Sequence, residues 1–259
     1  MRIVIKIGTS TLTHRSGHLN IRRVEHLCKV FSDLKNAGHE LVIVSSGAIG
    51  VGVGKLSLKE KPTDIPTKQA AAAVGQCELM YIYDKLFAEY NHTVAQILIT
   101  GDDIESPKRA ENFHNTIFRL LELGALPIIN ENDTIAVDEI VIGDNDTLGA
   151  IVASTIGADL LILLSDIDGL FTADPQRDPG AKLIPVVEAV TPELEAAAQG
   201  AGSALGTGGM QTKLAAAKIA TGAGVEMVIA NGTRPDALYD IVEGKPCGTR
   251  FLSKGEKKA

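Results

Sequence analysis

At 259 residues, 45% hydrophobic and 22% charged, the chain is long enough to bury a sizeable core, as one large α/β domain or two small ones. Its net charge of −7 at pH 7 gives no field that would recruit nucleic acid or an anionic membrane. No apolar run approaches the ~18 residues of a membrane span, and the start Met1-Arg-Ile-Val-Ile-Lys6 lacks a signal-peptide core. With Cys28, Cys77 and Cys247 far apart and without metal-ligand spacing, a cytoplasmic setting is expected.

Short apolar runs alternate with amphipathic stretches. Ile3–Ile5, Leu41–Val44, Val94–Ile99, Ala125–Ile129, Leu160–Leu164 and Met227–Ile229 read as strands. They are almost continuously hydrophobic, as in a parallel sheet covered on both faces. Between them, Ile21, Val24, Leu27, Phe31 and Leu34 form one helical stripe, with Asn20 as cap and Gly38 as terminator. Ser106-Pro107 and Thr191-Pro192 mark two further helix starts. Leu148–Ile156 and residues 210–222 carry helical patterns, and residues 134–142 suggest a small hairpin with Asp138-Glu139 at its tip. The alternation predicts a three-layer α/β/α sandwich around a mainly parallel open sheet. Ligands of such sheets bind at the carboxyl ends of the strands, and the polar motifs fall there.

The first motif is Lys6-Ile-Gly-Thr-Ser10. Lys6 ends a buried strand, an expensive place for a lone ammonium, and Gly8 permits close approach of a ligand; a phosphate would justify both, whereas a snorkelling lysine is the plainer alternative. The second, Ser45-Ser-Gly-Ala-Ile-Gly-Val-Gly-Val-Gly54, is no Walker A loop, because Leu56 follows Lys55 where Ser or Thr is required. Its glycine spacing and its place after the second strand also exclude the dinucleotide fingerprint. What remains is a hydroxyl-glycine turn into a helix N-terminus, suited to a carboxylate or phosphate.

Residues 130–146 gather Glu131, Asp133, Asp144 and Asp146 with Asn130, Asn132 and Asn145. An apolar strand enters this cluster and an apolar helix leaves it. Taken alone, it reads equally as a ligand-binding edge or as a solvated turn beside a helix cap. Ser165-Asp-Ile-Asp-Gly169 has turn composition. Last, Gly200–Lys213 is a glycine-rich loop opening a helix whose first turn holds Lys213. A cation there opposes the helix dipole, so an anionic partner is expected. Two lysines, three glycine-rich turns and a carboxylate cluster at one sheet edge form a phosphoryl-transfer constellation, with an aspartate between the lysines.

These motifs, together with Leu164-Ser-Asp and Thr207-Gly-Gly-Met-Gln-Thr-Lys213, resemble those of the amino-acid kinase family over nearly the whole chain, and within it the glutamate 5-kinases. The resemblance implies transfer of phosphate from ATP to the γ-carboxylate of L-glutamate, the first step toward proline. It implies Ser46, Gly47, Asp133 and Asn145 at glutamate, and Lys6, Gly8, Ser165, Asp166, Thr207, Gly208, Gly209, Met210, Gln211, Thr212 and Lys213 at ATP. Lys6, Lys213 and an organising Asp146 would act in the transition state. Mg²⁺ would be held mainly through the nucleotide phosphates rather than by a set of protein ligands. Proline is expected as feedback inhibitor, and a homo-oligomer, dimer or tetramer, as the assembly.

By the same resemblance residues 1–259 form a single catalytic domain, with a substrate lobe to about 155 and a nucleotide lobe beyond. A C-terminal PUA domain, carried by many family members, is not expected. Ser165 stands where a threonine is common. A different acceptor within the family, or a non-catalytic amino-acid sensor, are the competing readings; a sensor would have no need of both lysines.

Overall fold

The computed structural model describes residues 1–14, 16–135, 144–175, 177–198 and 209–253. In chain order they form β1 (Arg2–Ile7), α1 (Thr9–Leu12), α2 (Ile21–Asn36), β2 (Glu40–Ser45), α3 (Ala48–Lys55), α4 (Ile65–Ala88), β3 (Val94–Ile99), α5 (Gly101–Glu105), α6 (Pro107–Glu122), β4 (Leu126–Glu131), α7 (Asn145–Thr155), β5 (Leu160–Ser165), β6 (Val186–Val187), α8 (Pro192–Ala198), α9 (Met210–Gly222), β7 (Glu226–Asn231), α10 (Ala237–Val242) and β8 (Thr249–Phe251). The strands make one sheet in the order β3-β4-β2-β1-β5-β7-β8-β6. Every pairing is parallel except β7 with β8. The expected mainly parallel α/β architecture is therefore present, and all six expected strands are in it. The expected hairpin at 134–142 lies largely outside the described residues.

Strand alternation splits the core into two layers. Ile3, Ile5 and Ile7 of β1 pack with residues of α2 and α4, as do Leu41 and Ile43 of β2. Val4 of β1 and Val42 and Val44 of β2 pack on the opposite face with residues of α7 and α9. Lys6 is in phase with Val4, so the same alternation that builds the core directs the lysine to the α7/α9 side. Asn130 is in phase with Ile128, which belongs to the α2/α4 layer.

Asn20 caps α2 as expected, its side chain accepting a hydrogen bond from the Arg23 N–H at 3.2 Å. Gly38 follows with φ +92°, a conformation that favours glycine. Pro107 and Pro192 stand at the starts of α6 and α8.

The longest helix, α4, has no readable apolar stripe, because it packs by smallness at its start. A Cβ on Gly75 would lie 1.8 Å from the Ala48 carbonyl oxygen, and one on Gly52 would lie 1.8 Å from that of Ala71. Helices α3 and α4 thus touch backbone to backbone, which fixes the turn at Gly47-Ala48 relative to α4. Gly47, the residue before α3, has φ +98°, again a glycine conformation. Among the described residues no helix is long and apolar enough to cross a membrane.

Candidate active site

At the carboxyl ends of β1, β2, β4 and β5 two buried polar networks meet at the first turn of α7. The first is ionic. Asp146, 1% exposed, receives Lys6 Nζ on Oδ1 at 2.6 Å and Lys213 Nζ on Oδ2 at 3.0 Å. Lys6 and Lys213 are themselves only 8% and 4% exposed. The Thr212 hydroxyl lies 3.1 Å from Asp146 Oδ2 and 2.8 Å from the Gly209 carbonyl, so it donates to one at a time. Burial works to raise the Asp146 carboxyl, but the ammonium groups of Lys6 and Lys213 overcome it and hold the group below the ordinary carboxylate range.

Three features seat this triad. Asp144 caps α7, its Oδ1 accepting from the Asp146 and Thr147 N–H groups at 2.6 and 3.0 Å, and its Oδ2 from the Thr147 hydroxyl at 3.0 Å. Burial, followed by the neighbouring Asp146 charge, raises the Asp144 carboxyl. Gly149, one turn into α7, would place a Cβ 3.4 Å from Lys6 Cβ; its bare face is where the lysine stem lies. Gly8 N–H donates to the Leu164 carbonyl at 3.1 Å, pinning the turn after β1 against β5.

Two buried ammonium groups share the one Asp146 carboxylate, and the start of α9, the helix that carries Lys213, adds positive potential. Helix α9 begins at Met210, and Gly209 before it provides no side-chain cap. Its first N–H groups therefore add to the anion-attracting character of the edge.

The second network is neutral. Asn145 Nδ2 lies 2.8 Å from Ser46 Oγ, 3.1 Å from Asn130 Oδ1 and 3.4 Å from the Ser45 carbonyl. Asn130 Nδ2 in turn donates to Gln76 Oε1 on α4 at 2.9 Å. Asn145 Oδ1 is buried with no hydrogen-bond partner among the described residues. Helix α4 also reaches the end of β2 through Tyr83, whose hydroxyl is 2.9 Å from Ser45 Oγ.

The structure thus brings together Lys6, Asp146, Thr212 and Lys213 in one network, and Ser46 and Asn145 in the other. Gly47 lies between Ser46 and α3. Asp133 stands in the turn after β4, partly exposed, and has an interaction partner. Its neighbour Asn132 accepts from the Thr134 hydroxyl. Ser165 ends β5 and donates to Asp166 Oδ1 at 3.1 Å. Met210 and Gln211 open α9 beside Gly209; Thr207 and Gly208 lie outside the described residues.

One boundary differs from expectation in a way that matters. The apolar run Ala125–Ile129 suggests a strand ending before Asn130, but β4 continues to Glu131, with Leu98 opposite Asn130 and Ile99 opposite Glu131. Asn130 is consequently a buried strand residue, 2% exposed, rather than part of a polar tip. Similarly, β1 extends one residue past Lys6, to Ile7. Gln76 and Gly149 went unnoticed in the sequence. Gln76 sits in an alanine-rich helix 54 positions from its partner, and no local pattern announces such a contact.

Residues 1–231 match the amino acid kinase family. The chain is 54% identical to a glutamate 5-kinase of Clostridium perfringens, covering 98% of this chain and 96% of the relative. It is 56% identical to a glutamate 5-kinase of Clostridium acetobutylicum, with the same coverage. Among solved structures, a UMP kinase from Bacillus anthracis matches with a TM-score of 0.66 at 17% identity, covering 98% of this chain and 96% of that one. An isopentenyl phosphate kinase from T. acidophilum matches with a TM-score of 0.65 at 17% identity, covering 97% and 100%. At such identities these two structures speak for the fold alone. With its sheet order, its motifs and near-full-length identity above one half to the curated relatives, this chain belongs to the amino acid kinase family, among the glutamate 5-kinases.

Proposed function

We propose that the two networks divide one reaction, the transfer of the γ-phosphoryl group of ATP to the γ-carboxylate of L-glutamate. The observation that carries this reading is the buried Lys6–Asp146–Lys213 triad, which places two ammonium groups at the strand ends. A carboxylate oxygen attacks the γ-phosphorus, the bond from that phosphorus to the bridging oxygen of ADP breaks, and γ-glutamyl phosphate and ADP result. The acceptor is already ionised at neutral pH, so the step needs no general base. What it needs is neutralisation of two approaching anions and of the charge leaving on ADP.

In this reading the ammonium groups of Lys6 and Lys213 supply that neutralisation, and Asp146 keeps both of them aimed. ATP is assigned to Lys6, Gly8, Ser165, Asp166 and the segment 207–213. Glutamate is assigned to Ser46, Gly47, Asp133 and Asn145, at the β2, β4 and α7 side. Asn145 Oδ1, buried and without a partner among the described residues, is an acceptor suited to the α-ammonium of an amino acid. The proposed lobes divide at about residue 155, with Lys6 and Gly8 reaching the nucleotide from the first.

Magnesium enters as MgATP. Among the described residues no three His, Cys, Asp or Glu side chains gather into a metal-binding group, and both Asp146 oxygens already face lysines. The nucleotide's own phosphate oxygens are therefore the proposed ligands, and the ion would offset phosphate charge. Proline is proposed as an inhibitor that overlaps the glutamate pocket, and a homo-oligomer, dimer or tetramer, as the assembly. The proposed setting is the reducing cytoplasm, in which Cys28, Cys77 and Cys247, unpaired here, stay thiols.

Acyl phosphate trapped as hydroxamate in the presence of MgATP tests the reading. Product should form with L-glutamate, much less with aspartate, N-acetylglutamate or UMP, and proline should raise the glutamate concentration required. Equal turnover without glutamate, or preference for another acceptor, would overturn it.

A further inference from the structure

The neutral network has a direction, and that direction is set from outside the pocket. Gln76 lies on α4, is 8% exposed, and offers its carbonyl Oε1 to Asn130 Nδ2 at 2.9 Å. Asn130 must then turn Oδ1 the other way, toward Asn145, 3.1 Å distant. Asn145 in turn must present Nδ2 to Asn130 Oδ1 and to Ser46 Oγ. Its own Oδ1 is left buried and without a hydrogen-bond partner among the described residues. Each amide has one acceptor end and one donor end, so a single choice at Gln76 propagates through two residues to the pocket.

We infer that Gln76 is a positioning residue for the amino-acid substrate: by accepting from Asn130 it locks the amide chain so that Asn145 shows the ligand an oxygen rather than an NH₂ group. The inference rests on the proposed use of Asn145 for glutamate. An ammonium group needs an acceptor, and an inverted Asn145 would meet it with a donor, leaving buried polar groups unmatched. Gln76 keeps its place because α4 is seated on α3 through Gly75, whose Cβ would lie 1.8 Å from the Ala48 carbonyl oxygen. That contact allows α4 little freedom to slide, so the Gln76 carbonyl is held at a fixed position beneath β4. The amide chain meets the lysine triad only through the neighbouring positions Asn145 and Asp146, and Gln76 lies at its far end, so the effect should fall mainly on one substrate.

The test is steady-state kinetics of Gln76→Leu, which keeps bulk but removes the acceptor. The Michaelis constant for glutamate should rise about tenfold, the equivalent of one hydrogen bond, while that for ATP stays within about twofold. Gln76→Glu, assayed near pH 8, retains an acceptor and should return the glutamate constant to within about threefold of the parent. In an Asn145→Ala background, Gln76→Leu should add less than about twofold, because its route to the ligand has been removed.

The inference is overturned by an unchanged glutamate constant in Gln76→Leu. It is also overturned if both Michaelis constants rise together with a lowered melting temperature, as a merely structural residue would give, or if the effect multiplies with that of Asn145→Ala. Should Gln76→Leu fail to fold, Gln76→Met and Gln76→Glu carry the same comparison. Failure of the underlying reading is seen separately: the unsubstituted protein would then show no glutamate-dependent turnover at all.

Discussion

The two networks at the strand ends are built from opposite materials. One is an ionic triad of two lysines on one aspartate; the other is a run of neutral amides whose last acceptor has no partner among the described residues. They are supplied by adjacent residues, Asp146 and Asn145, at the start of one helix. The triad recruits β1 and α9 from either side, and the amides recruit β2, β4 and α4. On the proposed assignment, charge serves the polyanion, whereas a directed amide serves a zwitterion that must be told from its neighbours. The contrast teaches that this assignment separates strength and selectivity in space at one site.

Breaking the ionic half should have the largest consequences. Asp146→Asn removes the carboxylate charge that two buried ammonium groups share, and should lower stability by about 3–5 kcal/mol. A denaturant titration measures it, and bound MgATP should restore part of the loss. Lys213→Ala or Lys6→Ala should reduce turnover by about 10²- to 10³-fold, by comparison with other transition-state charge stabilisers. Turnover near that of the unsubstituted protein in either variant would remove that lysine from its proposed role.

The amide half should respond more gently. Gly75→Ala forces α3 and α4 apart and should cost about 1–3 kcal/mol, with a rise in the glutamate Michaelis constant as the Gly47 turn shifts. Melting curves together with initial rates check both parts. Asn145→Ala and Asp133→Ala should raise the Michaelis constant for glutamate more than that for ATP, by about tenfold for one lost hydrogen bond. Equal changes in both constants would end the proposed division.

The smallest effect concerns pH. The Asp146 carboxyl is held below its usual 3.8 in the folded chain. A lowered folded value means that the triad's stabilisation is fully present above the unfolded value and is lost as pH falls through the folded one. The difference in melting temperature between the parent and Asp146→Asn should therefore be constant from about pH 5 upward and narrow below about pH 4. A gap that widens on acidification would contradict the charge state assigned to Asp146.

The ionic half was legible in the sequence because each of its members ends or opens a recognisable element. Lys6 stands one residue before the end of β1, Lys213 opposes a helix dipole, and Asp146 lies in the first turn of α7. The amide half was legible only in part. Ser46 and Asn145 sit in motif-like turns, but Asn130 is hidden by a strand that outlasts its apolar run, and Gln76 by a helix that packs through glycine and alanine. The strands β6 and β8, two and three residues long, are too short for any periodicity to show. Local patterns report what a segment buries; they are silent on which distant amide completes a hydrogen bond.

The start of α7 assigns three successive residues to three different tasks: Asp144 closes the helix, Asn145 enters the amide chain and Asp146 gathers the lysines. Successive residues of a helix point about 100° apart. Inserting or deleting one residue here would rotate the following side chains by that angle and aim each at its neighbour's target. The turn therefore behaves as a reading frame for the site, in which side-chain identity can vary only within a fixed count.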